Sequence, residues 1–281
     1  MSIGAASRIT GVTVPTLRAW ETRHGFPTPR REGTGDGVHR RYSPSALDAI
    51  ARVVAARQAG LSLDAAIATV RSEAAADGRP RSIFAALVDR HPGLHPRTLH
   101  RSTMLAISRA IEDEFCARAA DSVLIAAFQT PEAYHPARSR WSEFARTAST
   151  TVVLAEFERT QTRRRAPTEV SVPSTSAVLR EWAVICDAPA ATACLVGWER
   201  PETGRPGNRR FEAIWSVDPA VTRAAARAAL AIAGEYAPEL ALDHLAAAPT
   251  SAGLDPARLL ALTDRIVGHL DASAARRHGG G

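Results

Sequence analysis

The sequence predicts two folded regions of different class. An all-α N-terminal region with a winged helix-turn-helix pattern precedes a mixed α/β region, and a terminal amphipathic helix follows. Three observations lead there. Short, well-capped helical segments fill residues 1–76, interrupted by the Gly-rich, basic stretch 30–42. From residue 82 onward, short runs rich in Val, Ile and Trp alternate with helical stretches, the pattern of layered α/β structure. Between the two, Asp77-Gly78-Arg79-Pro80 breaks every periodicity, so residues 77–81 are predicted to be a linker.

Taken in order, Ile3 to Ile9 forms a short helix broken at Thr10-Gly11. Thr13 caps the next, which tolerates Pro15 in its first turn and runs to about His24, before Gly25, Pro27 and Pro29. Ser43-Pro44 opens a helix ending at Gly60, and Ser62 caps another with Leu63, Ile67 and Val70 on one stripe. Leu17 and Val14 are expected to face a small core. Beyond the linker, helices are predicted at about 82–89, 103–119, 131–147 and 219–233, with a Pro- and His-containing loop before the second. Strands are predicted at 123–128, 150–157, 168–172, 182–187, 191–198 and 211–217. The α/β region spans 82–237 and a C-terminal helical segment 238–275, with a disordered tail at 276–281.

Composition sets limits on function. Of 281 residues 45% are hydrophobic, but 56 are alanine, so larger core-forming side chains make up about a quarter of the chain. No run approaches the ~18 apolar residues that a spanning helix needs, so no membrane partner is expected. The N-terminus lacks a basic cap followed by an apolar run, which argues against secretion. Three cysteines without Cys-x-x-Cys spacing fit a reduced, cytoplasmic protein. All 35 basic residues are arginine. Residues 1–45 hold seven of them against three acids, whereas residues 82–281 hold 23 against 22. The positive surplus therefore lies at the N-terminal end, where a polyanion would be met.

A helix, a sharp Thr-Gly turn and a second helix would lay that second helix in a DNA major groove. It offers Thr16, Arg18, Trp20 and Arg23, and the wing offers Arg40, Arg41 and Tyr42. Arginine can fork onto a guanine edge or a phosphate, and threonine reaches the backbone. Trp20 suits packing under the wing as well as phosphate contact. Residues 2–72 resemble the DNA-binding region of MerR-family winged-helix regulators. The matching stretches are Ile3-Gly4, Thr10-Gly11-Val12, Thr16-Leu17-Arg18-Ala19-Trp20-Glu21, His39-Arg40-Arg41-Tyr42-Ser43 and Gly60-Leu61-Ser62-Leu63. The Arg-Ala-Trp-Glu variant is similar to the subgroup that includes cobalamin-dependent light-responsive regulators. The resemblance implies a DNA-contact role for Arg18, Arg40 and Tyr42, and extends to Arg23 and Arg41. One departure stands out. Family members continue into a long helix that pairs as an antiparallel coiled coil, whereas here Asp77-Gly78-Arg79-Pro80 interrupts it.

Residues 82–237 resemble the DICT sensory domain. The matching stretches are Arg101-Ser102-Thr103-Met104-Leu105-Ala106-Ile107-Ser108 with Ile111-Glu112-Asp113-Glu114, Ala127-Phe128-Gln129, Arg180-Glu181-Trp182, Cys186-Asp187, Gly197-Trp198-Glu199 and Trp215-Ser216-Val217-Asp218-Pro219. That resemblance implies a sensor, without a ligand or catalytic set. In the helix at 103–119, Met104, Ile107, Ile111 and Phe115 form the buried stripe, with Arg109–Asp113 and Glu114–Arg118 as surface pairs. Glu112 and Cys116 lie beside the stripe. Glu112 either accepts a hydrogen bond in a pocket, from ligand or from an arginine such as Arg180, or forms a rim salt bridge. Trp182, Trp198 and Trp215 fall in strands, where core packing and pocket lining are both open. Together Glu112, Cys116, Trp182, Trp198 and Trp215 are the candidate pocket set. Cys186 and Cys194 read as small buried hydrophobes.

No enzyme is predicted. The chain lacks a Gly-rich phosphate loop, Gly-x-Ser-x-Gly and His-Glu-x-x-His. His91, His95 and His100 are separated by Pro92 and Pro96, which spoils helical ligand presentation, so neither metal nor other cofactor is expected. Leu259, Leu262, Ile266 and Leu270 form a stripe that either docks on its own domain or pairs with a second copy. The sequence thus predicts a homodimeric transcription regulator on double-stranded DNA. A small-molecule effector bound at 82–237 would act through the 77–81 segment. The alternative is an adaptor whose second domain binds a protein partner.

Overall fold

In the computed structural model the described residues are 2–32, 39–42, 44–73, 80–200, 209–240 and 255–278. They fall into two compact units, residues 1–71 and 72–281. Parts of the sequence-based reading lie outside the described residues: 33–38 of the expected wing, the Ser43 cap, 74–79 up to and within the linker, 201–208 of the second region, and 241–254 and 279–281 near the C-terminus. Among the described residues no helix is long and apolar enough to cross a membrane.

The first unit opens with α1 (Ile3–Thr10), started by the Ser2 hydroxyl accepting from the Ala5 N–H. It stops at Gly11, where φ is 72°, a left-handed conformation that glycine adopts without steric cost. Thr13 then caps α2 (Val14–His24) by accepting from the Thr16 N–H at 3.3 Å, with Pro15 in the first turn. Strands β1 (Arg30–Glu32) and β2 (His39–Arg41) pair antiparallel as the wing, followed by α3 (Pro44–Gln58) and α4 (Leu63–Glu73). Leu17, Trp20, Phe26, Tyr42, Ile50, Val53, Ile67 and Val70 form the core. Val14, expected there, is only half-buried.

The second unit begins with α5 (Ile83–Arg90), β3 (Arg97–His100) and α6 (Arg101–Glu114). Strand β4 (Val123–Ala127), helices α7 (Pro131–Tyr134) and α8 (Arg138–Phe144), and strands β5 (Thr150–Ala155) and β6 (Thr168–Ser171) follow. The chain continues through β7 (Glu181–Ala188), β8 (Ala191–Glu199), β9 (Arg210–Ser216), α9 (Pro219–Ala233) and α10 (Pro256–His278). The sheet order is β3-β9-β8-β7-β4-β5-β6, with β4, β5 and β6 parallel and the remaining pairings antiparallel. Helices α5 and α9 cover one face; α6 covers the other, with α10 packed on α6. Both faces are therefore covered, and β4, β5 and most of β7 and β8 are buried at every position.

Four expectations are corrected. The loop before α6 contains β3, whose side chains are mostly exposed; an exposed edge strand carries no apolar alternation to reveal it. The helix expected at 131–147 is α7, a 3-10 turn over His135–Ala137, and α8. Pro136 lacks the N–H that a continuous ladder requires there. The helix expected at 103–119 starts at Arg101 and ends at Glu114, with a separate 3-10 turn over Cys116–Arg118. Finally α10 runs on through His278, into the tail predicted to be disordered.

Gly197 on β8 lets α6 lie close to the sheet. A Cβ built there would meet Met104 Cε at 2.5 Å and Phe211 Cβ at 3.4 Å. Met104 is fully buried, so its thioether end has little room to retreat. Gly197→Ala is expected to destabilise this unit by about 1–3 kcal/mol, the usual cost of overpacking. The same change combined with Met104→Ala should recover part of that loss relative to Met104→Ala alone. Equal effects of Gly197→Ala in both backgrounds, by thermal melting, would place the strain elsewhere.

Candidate functional site

Two sites emerge, one in each unit. In the first, α2 turns Leu17 and Trp20 into the core, and Trp20 packs against Phe26 with ring centroids 6.3 Å apart. That leaves Arg18 and Arg23 exposed and Thr16 half-buried on the outward side. The Thr16 hydroxyl lies 2.7 Å from that of Thr13, within the helix cap. The position of α2 is fixed at its C-terminal end from α4. There Arg71 donates to the carbonyls of His24 at 2.7 Å and Gly25 at 2.9 Å, and His24 Nδ1 lies 2.7 Å from Asp64 Oδ1. The wing is tied to α2 through the Tyr42 hydroxyl, which donates to Glu21 Oε1.

For Trp20 the structure shows the packing alternative, and Tyr42, expected to contact DNA, is buried as well. Tyr42 is 1% exposed and Trp20 9%, so both act as packing that sets the geometry of α2 and wing. Each large ring gains more from burial than from a wet phosphate contact. Arg40 and Arg41 lie on β2, and their side chains fall outside the described residues. The register opposes Arg31 to Arg40 and Arg30 to Arg41, placing four arginine positions within three steps of one ribbon.

The second site is a cavity of about 270 Å³ on the α6 side of the sheet. Arg101, Leu105, Ser108, Arg109 and Glu112 give it one face of α6, spaced four, three, one and three residues apart. Trp182 and Val184 on β7, Ala127 at the end of β4, Phe128 and Gln129 beyond it, and Arg140 on α8 supply other walls. Arg209 lies at the margin, bound to Glu199 Oε1 and Gln129 Oε1. Trp182 Nε1 donates to Ser108 Oγ at 2.9 Å, and its ring meets Phe211 edge-on at 5.6 Å.

Glu112 is 6% exposed and accepts from Trp141 Nε1 at 3.1 Å. Burial raises its pKa, opposed mainly by Arg140, whose Nε lies 3.2 Å from Glu112 Oε2. The partner arginine is thus Arg140, not Arg180, which lies 4.9 Å over the Trp198 ring and donates to the Glu199 carbonyl. The expected Arg109–Asp113 surface pair is likewise replaced: Asp113 takes Arg140, Arg265 Nη1 at 3.5 Å and His269 Nε2 at 3.3 Å. The last two stand on α10, where Arg265 also binds Glu114 and Leu262 is buried. The terminal helix therefore docks on its own domain.

Of the five candidate pocket residues, Glu112 and Trp182 line the cavity. Cys116, Trp198 and Trp215 do not. Cys116 is buried against Cys186, whose side-chain hydrogen bond and the surrounding burial push its thiol pKa well up. Trp198 sits opposite Glu181, on the other side of the sheet from the Trp182–Gly197 pair. Trp215, opposite Leu195 on β8, is 44% exposed. Arg101, Arg140 and Arg209 are absent from the sequence-based set. The spacing of Arg101, Leu105, Ser108, Arg109 and Glu112 on one helix is a signal that could reveal the first; the other two arrive from distant segments.

Comparison with known proteins agrees with both halves of this architecture. Residues 1–73 match the MerR HTH family regulatory proteins. Residues 81–200 match the sensory domain in diguanylate cyclases and two-component systems. A curated relative, the HTH-type transcriptional repressor CarA of Myxococcus xanthus, is 42% identical over 74 residues. That stretch covers 26% of this chain, and the chain spans about a quarter (25%) of that relative's length. No solved structure matches. Residues 1–73 are thus a MerR-type helix-turn-helix region, and residues 81–200 a DICT sensory domain.

Proposed function

We propose that the chain is a transcription regulator that binds promoter DNA through α2 and the wing, and that occupation of the sensory domain by a small molecule modulates that binding. The observation carrying the DNA half is the outward side of α2, where Arg18 and Arg23 are exposed on a helix pinned at both ends. Thr16, Arg18, Arg23, Arg40 and Arg41 are its contact residues; Tyr42 and Trp20 hold the scaffold. A ligand rather than a protein partner is favoured by the α6 cavity, a partly open concavity where polar and apolar groups converge as in small-molecule sites. Regulation then requires the ligand to bind the DNA-competent and DNA-incompetent states with different affinity. The relative's description as a repressor favours repression as the output.

Titrating the intact protein onto the DNA upstream of its own coding sequence tests the DNA half. Sequence-specific binding with a steep salt slope is expected, against weak binding to a shuffled duplex. Equal affinity for both duplexes would remove the regulator reading. The protein is also expected to act as a homodimer, since two half-sites add affinity and specificity. Helix α10 already spends Leu262 and Ile266 on its own domain. Truncation before α10 at Ala252 should therefore leave the dimer intact by light scattering, and a monomer would assign the interface to α10.

A further inference from the structure

The α6 cavity is built for one class of ligand: we propose that it takes a compact organic anion, a carboxylate or phosphate monoester joined to a flat apolar body. This rests on the reading of residues 81–200 as a ligand-binding sensor, and adds the chemistry of what is sensed.

The charge balance at the walls carries the argument. Four arginines line the cavity: Arg101, Arg109, Arg140 and Arg209. Two are committed, Arg140 to Glu112 and Asp113, and Arg209 to Glu199 and Gln129. Among the described residues, Arg101 and Arg109 make no ion pair, and they stand two helical turns apart on the same side of α6. The acids lining the cavity offset them only in part, through the weaker attraction of Arg109 for Glu112. Glu112 is held by Arg140 and Trp141, and Glu181 spends its carboxylate on Ser82 and the α5 N-terminus. The margin is thus left with two guanidinium groups able to fork onto a carboxylate or phosphate.

Between those arginines Leu105 faces the cavity, and Trp182, Phe128 and Val184 supply apolar walls. A bare inorganic anion would leave this apolar surface unused, and a neutral apolar molecule would leave the two exposed cations to water alone. At about 270 Å³ the space lies just under the ~300–1,000 Å³ of ordinary ligand pockets, so the body is small, of one or two rings. Trp182 is fixed by Ser108 and Phe211 and offers a rigid wall and a fluorescent reporter.

The test uses the full chain and a matched panel: benzoate, phenylacetate, indole-3-acetate and phenyl phosphate, their neutral amides or phenol, and inorganic phosphate alone. Binding is read by tryptophan fluorescence and by shift of the melting temperature, with DNA affinity of the same sample measured alongside. At least one organic anion should bind saturably, at least tenfold tighter than its neutral counterpart and than inorganic phosphate. The carboxylates and phenyl phosphate then separate the two head groups. Arg101→Gln combined with Arg109→Gln should remove the preference for the anion while leaving the melting temperature of the free protein unchanged. Leu105→Trp should block binding altogether. Neutral analogues binding as well as the anions would overturn the proposal, as would inorganic phosphate binding equally or an unaffected double variant. If no member of the panel binds while DNA affinity stays intact, this ligand class falls and the regulator reading stands. Anion binding without DNA affinity would uphold the ligand class and remove the regulator reading.

Discussion

Replacing Glu181 with alanine is expected to destabilise the sensory unit by about 3 kcal/mol at pH 8, and by more at pH 5.5, since each orphaned buried donor costs ~1–3 kcal/mol. Glu181 is fully buried at the start of β7, where it accepts from the Ser82 hydroxyl and from the N–H groups of Ile83 at 3.1 Å and Phe84 at 3.0 Å. Those two N–H groups begin α5 and have no carbonyl partner within the helix. Ser82 is spoken for as well, since its oxygen accepts from the Ala85 N–H at 2.9 Å. Alanine would leave two backbone donors and the Ser82 O–H without their acceptor, and a void beside them.

The pH dependence distinguishes this account from its opposite. Three donors favour the carboxylate, but complete burial favours the neutral acid, and burial wins, raising the pKa from 4.5 to about 7. In the unfolded chain a glutamate titrates near ~4.3. Between those values the native state holds a proton that the unfolded state has lost, so this group's contribution to stability falls as pH rises from about 4.3 to 7 and is level above. The alanine variant lacks that slope, hence the larger gap on the acid side. Burial also raises the pKa of Glu112 and of Asp187, so the wild-type slope has other contributors of the same sign. The difference between wild type and Glu181→Ala isolates this one. Four of the five tryptophans lie in residues 72–281, so fluorescence-detected denaturation reports on the right unit. A gap that narrows on acidification would mean that the three donors outweigh burial.

The two sites differ in how far the sequence discloses them, and the reason is locality. Thr13, Gly11 and Gly25 act on residues within one helical turn, so the helix-turn-helix can be read from spacing alone. The cavity is assembled from α6, α8 and the ends of β4 and β7, up to about eighty residues apart, and only its α6 side has a period to detect. The tryptophans show the difficulty. Strand alternation separates Trp182 from Glu181, but both sheet faces are covered by helices, so no polar residues mark which face borders a gap. Helical position alone puts Glu112 beside the buried stripe, whereas its partners Arg140 and Trp141 come from α8, beyond the reach of an i,i+4 argument. Trp20 and Tyr42 show the limit at the head: their motif positions suit a DNA-binding region, but spacing alone does not tell that both rings are buried.

Replacing Arg18 and Arg40 together by alanine is expected to weaken binding to the upstream DNA by at least ~30-fold at fixed salt, at ~1–3 kcal/mol for each arginine contact. Arg18 is exposed and lies outside the core of Leu17, Trp20 and Ile50, so its removal should leave the fold of the head intact. The two single variants then separate the kinds of contact. If Arg40 pairs with a phosphate, Arg40→Ala should weaken specific and shuffled duplexes alike and lower the salt slope by ~0.9. If Arg18 reads a base edge, Arg18→Ala should weaken only the specific duplex and relax the preference at one base pair. Tyr42→Phe makes the informative control. It removes the hydrogen bond to Glu21 without removing a charge, so a fall in specificity at unchanged salt slope would show that wing placement, and not cation count, governs recognition. If both arginine variants bind as the wild type does, the outward side of α2 and the wing are not the reading surface, and the basic surplus of residues 1–45 serves some other polyanion.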